Sequence, residues 1–156
     1  MRNIKLIIYD FDGVMTDNRV LIGENGEESV FVDRSDGLAI SELKKLGIKQ
    51  IIVSTETNPV VGARAKKLNI PFLQSQKDKK TVVKKYLQQN KIDKNRVVYI
   101  GNDINDKEVM LEVGWPIAPF NAHEEIKKIS KIVLKTKGGY GVIREFLDKL
   151  GCIENG

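Results

Sequence analysis

Short apolar runs, each closing on a polar or acidic residue, alternate with amphipathic stretches along almost the whole chain, and no other feature constrains the fold as tightly. The runs fall at 4–9, 49–53, 70–73, 97–100, 115–118 and 132–134. Helical spacing of apolar residues occupies 36–46, 59–68, 77–89, 103–113, 122–129 and 141–150 between and after them, with Gly47 as a stop and Asn58-Pro59 as a start. A strand that reaches the next strand through a helix makes a parallel crossover. The predicted fold is therefore α/β, a doubly wound, mainly parallel (Rossmann-like) sheet. One stretch breaks the rule: 19–22 and 29–32 flank Gly23-Glu24-Asn25-Gly26, which reads as a small β-hairpin insertion at about 18–34. A length of 156 residues suits one domain spanning 1–156.

Composition narrows the function classes. Hydrophobic residues are 41% and charged residues 30%, an ordinary globular balance. No apolar run nears the roughly 18–20 residues of a membrane helix, and the N-terminus runs into a strand pattern without a leader-like segment, so a cytoplasmic location and no membrane partner are expected. Cys152 is the lone cysteine and His123 the lone histidine, which excludes an internal disulfide and any multi-histidine metal site. A net charge of +5 favours anionic partners, but 6% aromatics is thin for base-stacking, so a small anion is expected and nucleic acid is not.

In doubly wound sheets ligands gather at the carboxyl ends of the strands. Asp10-Phe11-Asp12-Gly13 follows the first run, and two carboxylates one residue apart there suit a hard divalent cation, or a nucleophile paired with a proton carrier. The plain alternative is an acidic cluster capping a loop. Ser54, followed by Thr55 and Glu56, ends the second run; its hydroxyl suits an anion or, equally, a helix cap ahead of Pro59. Lysines open the helix at 77–89, where the positive dipole end disfavours them, so one of them is expected to serve an anion while the rest form a solvated face. Gly101-Asn102-Asp103-Ile104-Asn105-Asp106 ends the fourth run as a second acidic cluster.

Four such signals in this order resemble the haloacid dehalogenase-like phosphatase superfamily. The Asp36-Gly37 segment, Gln76-Lys77-Asp78-Lys79 and Lys137-Gly138-Gly139-Tyr140-Gly141 narrow the resemblance to its capless branch. That branch contains octulosonate 8-phosphate and nonulosonate 9-phosphate phosphatases, and the C-terminal domain of acylneuraminate cytidylyltransferases is similar. The spacing between Asp17 and Ser54 leaves room for the hairpin and no cap domain.

The resemblance implies roles for particular residues. Asp10 would be the nucleophile, Asp12 the acid and base, and Ser54 and Lys79 the phosphoryl holders. Mg2+ would sit on Asp10, Asp12 and the acidic loop at Asn102 or Asp103, with Asp106 supporting. Asp36 and Gly37 would face substrate, the segment 136–156 would be a lid or tail, and four copies would assemble with a neighbour covering each site. Two departures stand out: Asn102 where the superfamily usually has aspartate, and Glu56 where octulosonate phosphatases usually have arginine. Glu56 with Arg64 and Lys67, three apart on one helix face, implies a nonulosonate phosphate whose carboxylate meets the two cations, from a neighbouring subunit if not its own. A solvated surface trio is the alternative. The implied function is a Mg2+-dependent sugar acid phosphatase. A catalytically weak oligomerisation module is the other reading, carried by Asn102.

Overall fold

The structure, a computed structural model, describes residues 3–154, with side chains through Gly151; Met1, Arg2 and the Cys152 side chain lie outside the described residues. The elements run β1 (Leu6–Tyr9), β2 (Leu21–Ile22), β3 (Glu28–Ser29), α1 (Arg34–Lys45), β4 (Lys49–Val53), α2 (Val60–Leu68) and β5 (Phe72–Leu73). They continue with α3 (Lys79–Gln89), a 3-10 turn at Lys94–Arg96, β6 (Val97–Ile100), a second 3-10 turn at Ile104–Asp106 and α4 (Lys107–Met110). Last come β7 (Trp115–Ala118), α5 (Glu124–Ile129), β8 (Ile132–Val133) and α6 (Val142–Glu154).

Six strands form one parallel sheet in the order β5-β4-β1-β6-β7-β8, as the alternation predicts. Period-2 burial divides each central strand between two layers. Ile7 and Tyr9 of β1 join Ile40 and Leu43 of α1, Val61 of α2 and Phe146 of α6 on one face. Leu6 and Ile8 join Val83 and Leu87 of α3, Met110 of α4 and Ile126 of α5 on the other. The chain leaves β1 toward β4 and later returns to β1's opposite side as β6. The strand order reverses at that point, so the ends of β1, β4 and β6 bound a crevice.

Local chemistry explains where the boundaries move. The hairpin strands shrink to two residues each because both faces are exposed and no layer among the described residues covers them; Thr16 and Val32 close its base by one antiparallel bridge. The helix expected over 77–89 begins at Lys79, because the Asp78 carboxylate accepts the Thr81 N–H as an N-cap. The helix expected over 103–113 splits into a 3-10 turn and a four-residue α-helix, because Asp103 and Asp106 cap one another's backbone. His123 is the N-cap of α5, its Nδ1 accepting the Glu125 N–H at 3.2 Å. The helix expected over 141–150 is α6, and its Val142, Ile143, Phe146 and Leu150 are core residues.

Candidate active site

Three strand ends deliver the polar residues. Asp10 follows β1 and is 4% exposed, and its Oδ1 accepts the Phe11 N–H at 2.8 Å. Lys79, the first residue of α3, is 2% exposed, with Nζ 2.8 Å from Asp10 Oδ1 and 2.7 Å from Asp106 Oδ1. Asp106 is fully buried, and all its lone pairs are occupied in one way. Oδ1 also accepts the Tyr99 hydroxyl at 2.8 Å, and Oδ2 accepts the backbone N–H groups of Asn102 and Asp103 at 3.0 and 3.4 Å. It anchors the lysine and shapes the loop after β6 and does not face the cavity.

A cavity of about 330 Å3 opens above these ends, lined by Asp10, Asp12, Asn102 and Asp103 with Asn18, Thr55 and Asn105. Its electrostatics are negative. Burial, and then the neighbouring Asp106, push the Asp10 carboxyl up to about 8 against the pull of Lys79. Burial and then Glu56 push Asp12 above its ordinary range, with the Thr16 hydroxyl opposing. Burial alone would lower the Lys79 ammonium, and Asp10 and Asp106 outweigh it, so it stays charged. Asp10 and Asp106 share one buried ammonium, and a cation in the cavity would favour the ionised form of Asp10.

The donor set fits Mg2+. The cavity-facing terminal atom of the Asn102 amide lies 2.8 Å from the Asp12 carbonyl oxygen and 3.2 Å from Asp10 Oδ2. With the amide oxygen inward, three oxygens converge with no proton between them. Mg–O distances of about 2.1 Å set neighbouring oxygens about 3 Å apart in an octahedron, so this spacing matches such a site. With the nitrogen inward, the same amide donates to both oxygens. Among the described residues no cluster of three or more His, Cys, Asp or Glu could hold a metal; a cation here would draw on one carboxylate, one carbonyl and one amide. Gly13, at φ 78°, makes the approach possible, since a Cβ there would lie 2.0 Å from the Asn102 amide. The Asp103 carboxylate caps the Ile104 N–H at 2.7 Å and reaches the cavity wall.

The other candidate residues are placed unequally. Ser54 is 1% exposed, and its Oγ accepts the Glu56 N–H at 3.0 Å, which leaves its own proton free to donate. Glu56 stands beside Asp12 electrostatically, while its Oε1 accepts the N–H groups of Thr57 and Asn58. Arg64 and Lys67 do not reach this cavity. They line a separate one of about 420 Å3 with Arg34, Gly37 and Ser41, between α1 and α2. Asp36, expected at the substrate, is 2% exposed and accepts the Ile143 and Arg144 N–H groups at the start of α6. Tyr99, Thr16, Asn18 and Glu28 were not anticipated. Glu28 bears on Asp12 from the hairpin, and only the fold brings it near.

The chain belongs to the haloacid dehalogenase-like hydrolases: the family model of that description matches residues 38–146. Within the family it is 35% identical over 147 residues to the 3-deoxy-D-manno-octulosonate 8-phosphate phosphatase of Yersinia pestis, covering 94% of this chain and 79% of that one. The crystal structure of the Moraxella catarrhalis octulosonate phosphatase with magnesium, phosphate and sugar acid is 30% identical. It superposes with a TM-score of 0.92 over 96% of this chain and 86% of that one. A zebrafish (Danio rerio) N-acylneuraminate cytidylyltransferase is 29% identical over 151 residues, 94% of this chain but 35% of that protein. The chain is an enzyme of this hydrolase family, and the sheet with its separate hairpin is the family's fold.

Proposed function

We propose that the chain hydrolyses the phosphate ester of a 2-keto-3-deoxy sugar acid with Mg2+, a nonulosonate 9-phosphate in preference to an octulosonate 8-phosphate, through an aspartyl-phosphate on Asp10. The observation that carries the reading is the convergence of Asp10, Lys79 and the Asp12–Asn102 oxygens on one cavity. A carboxylate oxygen of Asp10 attacks phosphorus in line as the ester P–O bond breaks. Asp12 acts as the general acid that gives a proton to the departing sugar oxygen, a role that its burial and the neighbouring Glu56 favour by raising its carboxyl. It then takes a proton from the water that opens the acyl-phosphate, which releases phosphate and restores Asp10. Lys79 and Ser54 hold phosphoryl oxygens and lower the barrier by positioning and charge. A bound Mg2+ would supply charge neutralisation between the anionic ester and the carboxylate, on Asp10, the Asp12 carbonyl and the Asn102 amide.

The preference for nine carbons rests on Glu56, Arg64 and Lys67. Because Arg64 and Lys67 open onto a different cavity of the same chain, the reading places them against a neighbour's substrate in a homotetramer. Exposed apolar residues on the hairpin, Leu21 and Ile22 at 64% and Phe31 at 71%, supply a surface that assembly would cover. The test is phosphate release from a panel of sugar acid phosphates with Mg2+ and with chelator. Fastest release from a nine-carbon acid, lost in chelator and in Asp10→Asn, is expected. Fastest release from the eight-carbon acid overturns the Glu56 argument and leaves the chemistry standing, whereas turnover by Asp10→Asn removes the nucleophile.

Asn102 supports a second reading, a catalytically weak oligomerisation module, since an amide ligand carries no charge. Asn102→Asp separates the two. A rise in rate of more than about tenfold, together with tighter Mg2+ binding, marks the natural site as attenuated; an unchanged or lower rate marks it as a working enzyme.

A further inference from the structure

The carboxyl group of Asp12 is held loosely by its own surroundings. The Thr16 hydroxyl donates to Asp12 Oδ1 at 3.4 Å, while accepting the N–H groups of Gly13 and Asn18 at 3.3 and 3.2 Å. The direction of that carboxyl therefore follows the shape of the loop 13–17. The loop folds back on Phe11, whose carbonyl accepts from Met15 and Thr16 at 2.9 and 3.1 Å.

A strap of backbone at Gly138-Gly139 lies directly against this loop. The Gly139 N–H donates to Val14 O at 3.0 Å. A Cβ at position 138 would lie 2.1 Å from Gly13 O and 3.1 Å from Thr16 O, and one at 139 would lie 2.4 Å from the Asp17 nitrogen. Only glycine permits this backbone-on-backbone contact. The strap is itself suspended from α6 and the β7–α5 loop. The Glu145 carboxylate accepts the N–H groups of Lys135 and Thr136 at 2.7–3.0 Å, and Asn121 Oδ1 accepts that of Gly138 at 2.8 Å. The start of α6 is held in turn by the buried Asp36 of α1, whose Oδ1 accepts from Ile143 and Arg144 at 2.9 and 3.0 Å. Its other oxygen has no hydrogen-bond partner, so the side-chain hydrogen bonds of this carboxylate all go to the α6 turn.

We propose that Asp36, acting through the first turn of α6 and the Gly138-Gly139 strap, is a positioning residue for Asp12. Asp36 touches neither substrate nor metal; it sets where α6 begins, α6 sets the height of the strap, and the strap sets the loop that carries Asp12. The Asp12 carbonyl belongs to the same loop, so a displaced strap disturbs cation binding as well as proton transfer. Only the turnover readout rests on the phosphatase reading.

The experiment compares Gly138→Ala, Asp36→Ala, Asp36→Asn and Leu150→Ala. It measures kcat and KM on whichever sugar acid phosphate of the panel the natural chain hydrolyses fastest, Mn2+ affinity by electron paramagnetic resonance, and melting temperature. Gly138→Ala and Asp36→Ala are expected to lower kcat by about tenfold or more and to weaken Mn2+ binding, with KM little changed. Asp36→Asn, which keeps an oxygen acceptor for both N–H groups, recovers kcat to within about threefold of the natural chain. Leu150→Ala, a core truncation at the far end of α6, lowers the melting temperature at least as much as Gly138→Ala, yet keeps kcat within about twofold. A loss of kcat that simply follows melting temperature across the set overturns the proposal, as does a Gly138→Ala protein with natural kcat and Mn2+ affinity. If Asp36→Ala does not fold, Gly138→Ala and Asp36→Asn decide. If the natural chain releases no phosphate from any ester, the phosphatase reading fails, and Mn2+ affinity in Gly138→Ala alone decides the positioning role.

Discussion

Asp36 and Asp106 are both buried aspartates, and their different partners give them different chemistry. Asp106 is matched by an ammonium, a phenol and two backbone N–H groups. Asp36 has two N–H donors on one oxygen and none on the other, and burial pushes its carboxyl up to about 6. A carboxyl raised on folding makes the native state bind more protons than the unfolded chain between about pH 4 and 6, so its contribution to stability falls as pH rises through that window. The stability of the natural chain relative to Asp36→Asn is therefore expected to be greatest near pH 4 and to fall by at most about 3 kcal/mol by pH 7. Denaturant melts of both proteins across that range measure it, and a flat difference would deny the raised value. At this scale the positions of Asp10, Asp12 and Ser54 at strand ends and of a lysine at the start of α3 were legible, because a short window exposes where an apolar run stops and where a helix begins; which lysine enters the site is settled by its contacts with Asp10 and Asp106. Tyr99 was not, because its hydroxyl partner appears only once α4's leading turn folds over β6.

Elements were legible in proportion to how local their causes are. The edges of β4, β6 and β7 fall where the apolar runs end, since burial on both faces demands a continuous run. The segment 103–113 carries helical spacing, but the bonds that Asp106 makes to Asn102 and Asp103 pull its first turn tight and leave only a short helix beyond. The hairpin is the opposite case: its turn signal is strong, yet nothing among the described residues covers its strands. If the proposed homotetramer forms through the hairpin, replacing Ile22 and Phe31 together by serine is expected to dissociate it while leaving the fold of the single chain intact, because both side chains are exposed. Sedimentation velocity reports the first effect and circular dichroism the second; an unchanged mass would deny the hairpin a role in assembly.

Across the whole molecule, the separation of Arg64 and Lys67 from the Asp10 cavity makes the assembly itself testable. If Arg64 serves a neighbour's substrate, Asp10→Asn and Arg64→Ala proteins, each inactive alone, regain roughly a quarter of natural activity when unfolded and reassembled together, the fraction of sites that random pairing repairs. No recovery in a mixed tetramer would place Arg64 outside the chemistry. The sequence by itself determined the alternation of strand and helix, the strand ends that carry acids, and the lysine at a helix start, because period, capping and charge near a helix terminus act over a few residues. Only the tertiary structure decided that Asp36 is buried against the first turn of α6, that Gly138 and Gly139 lie on the Asp12 loop, and that Arg64 opens onto another cavity. Those outcomes depend on close contacts between segments far apart along the chain, which no local pattern encodes.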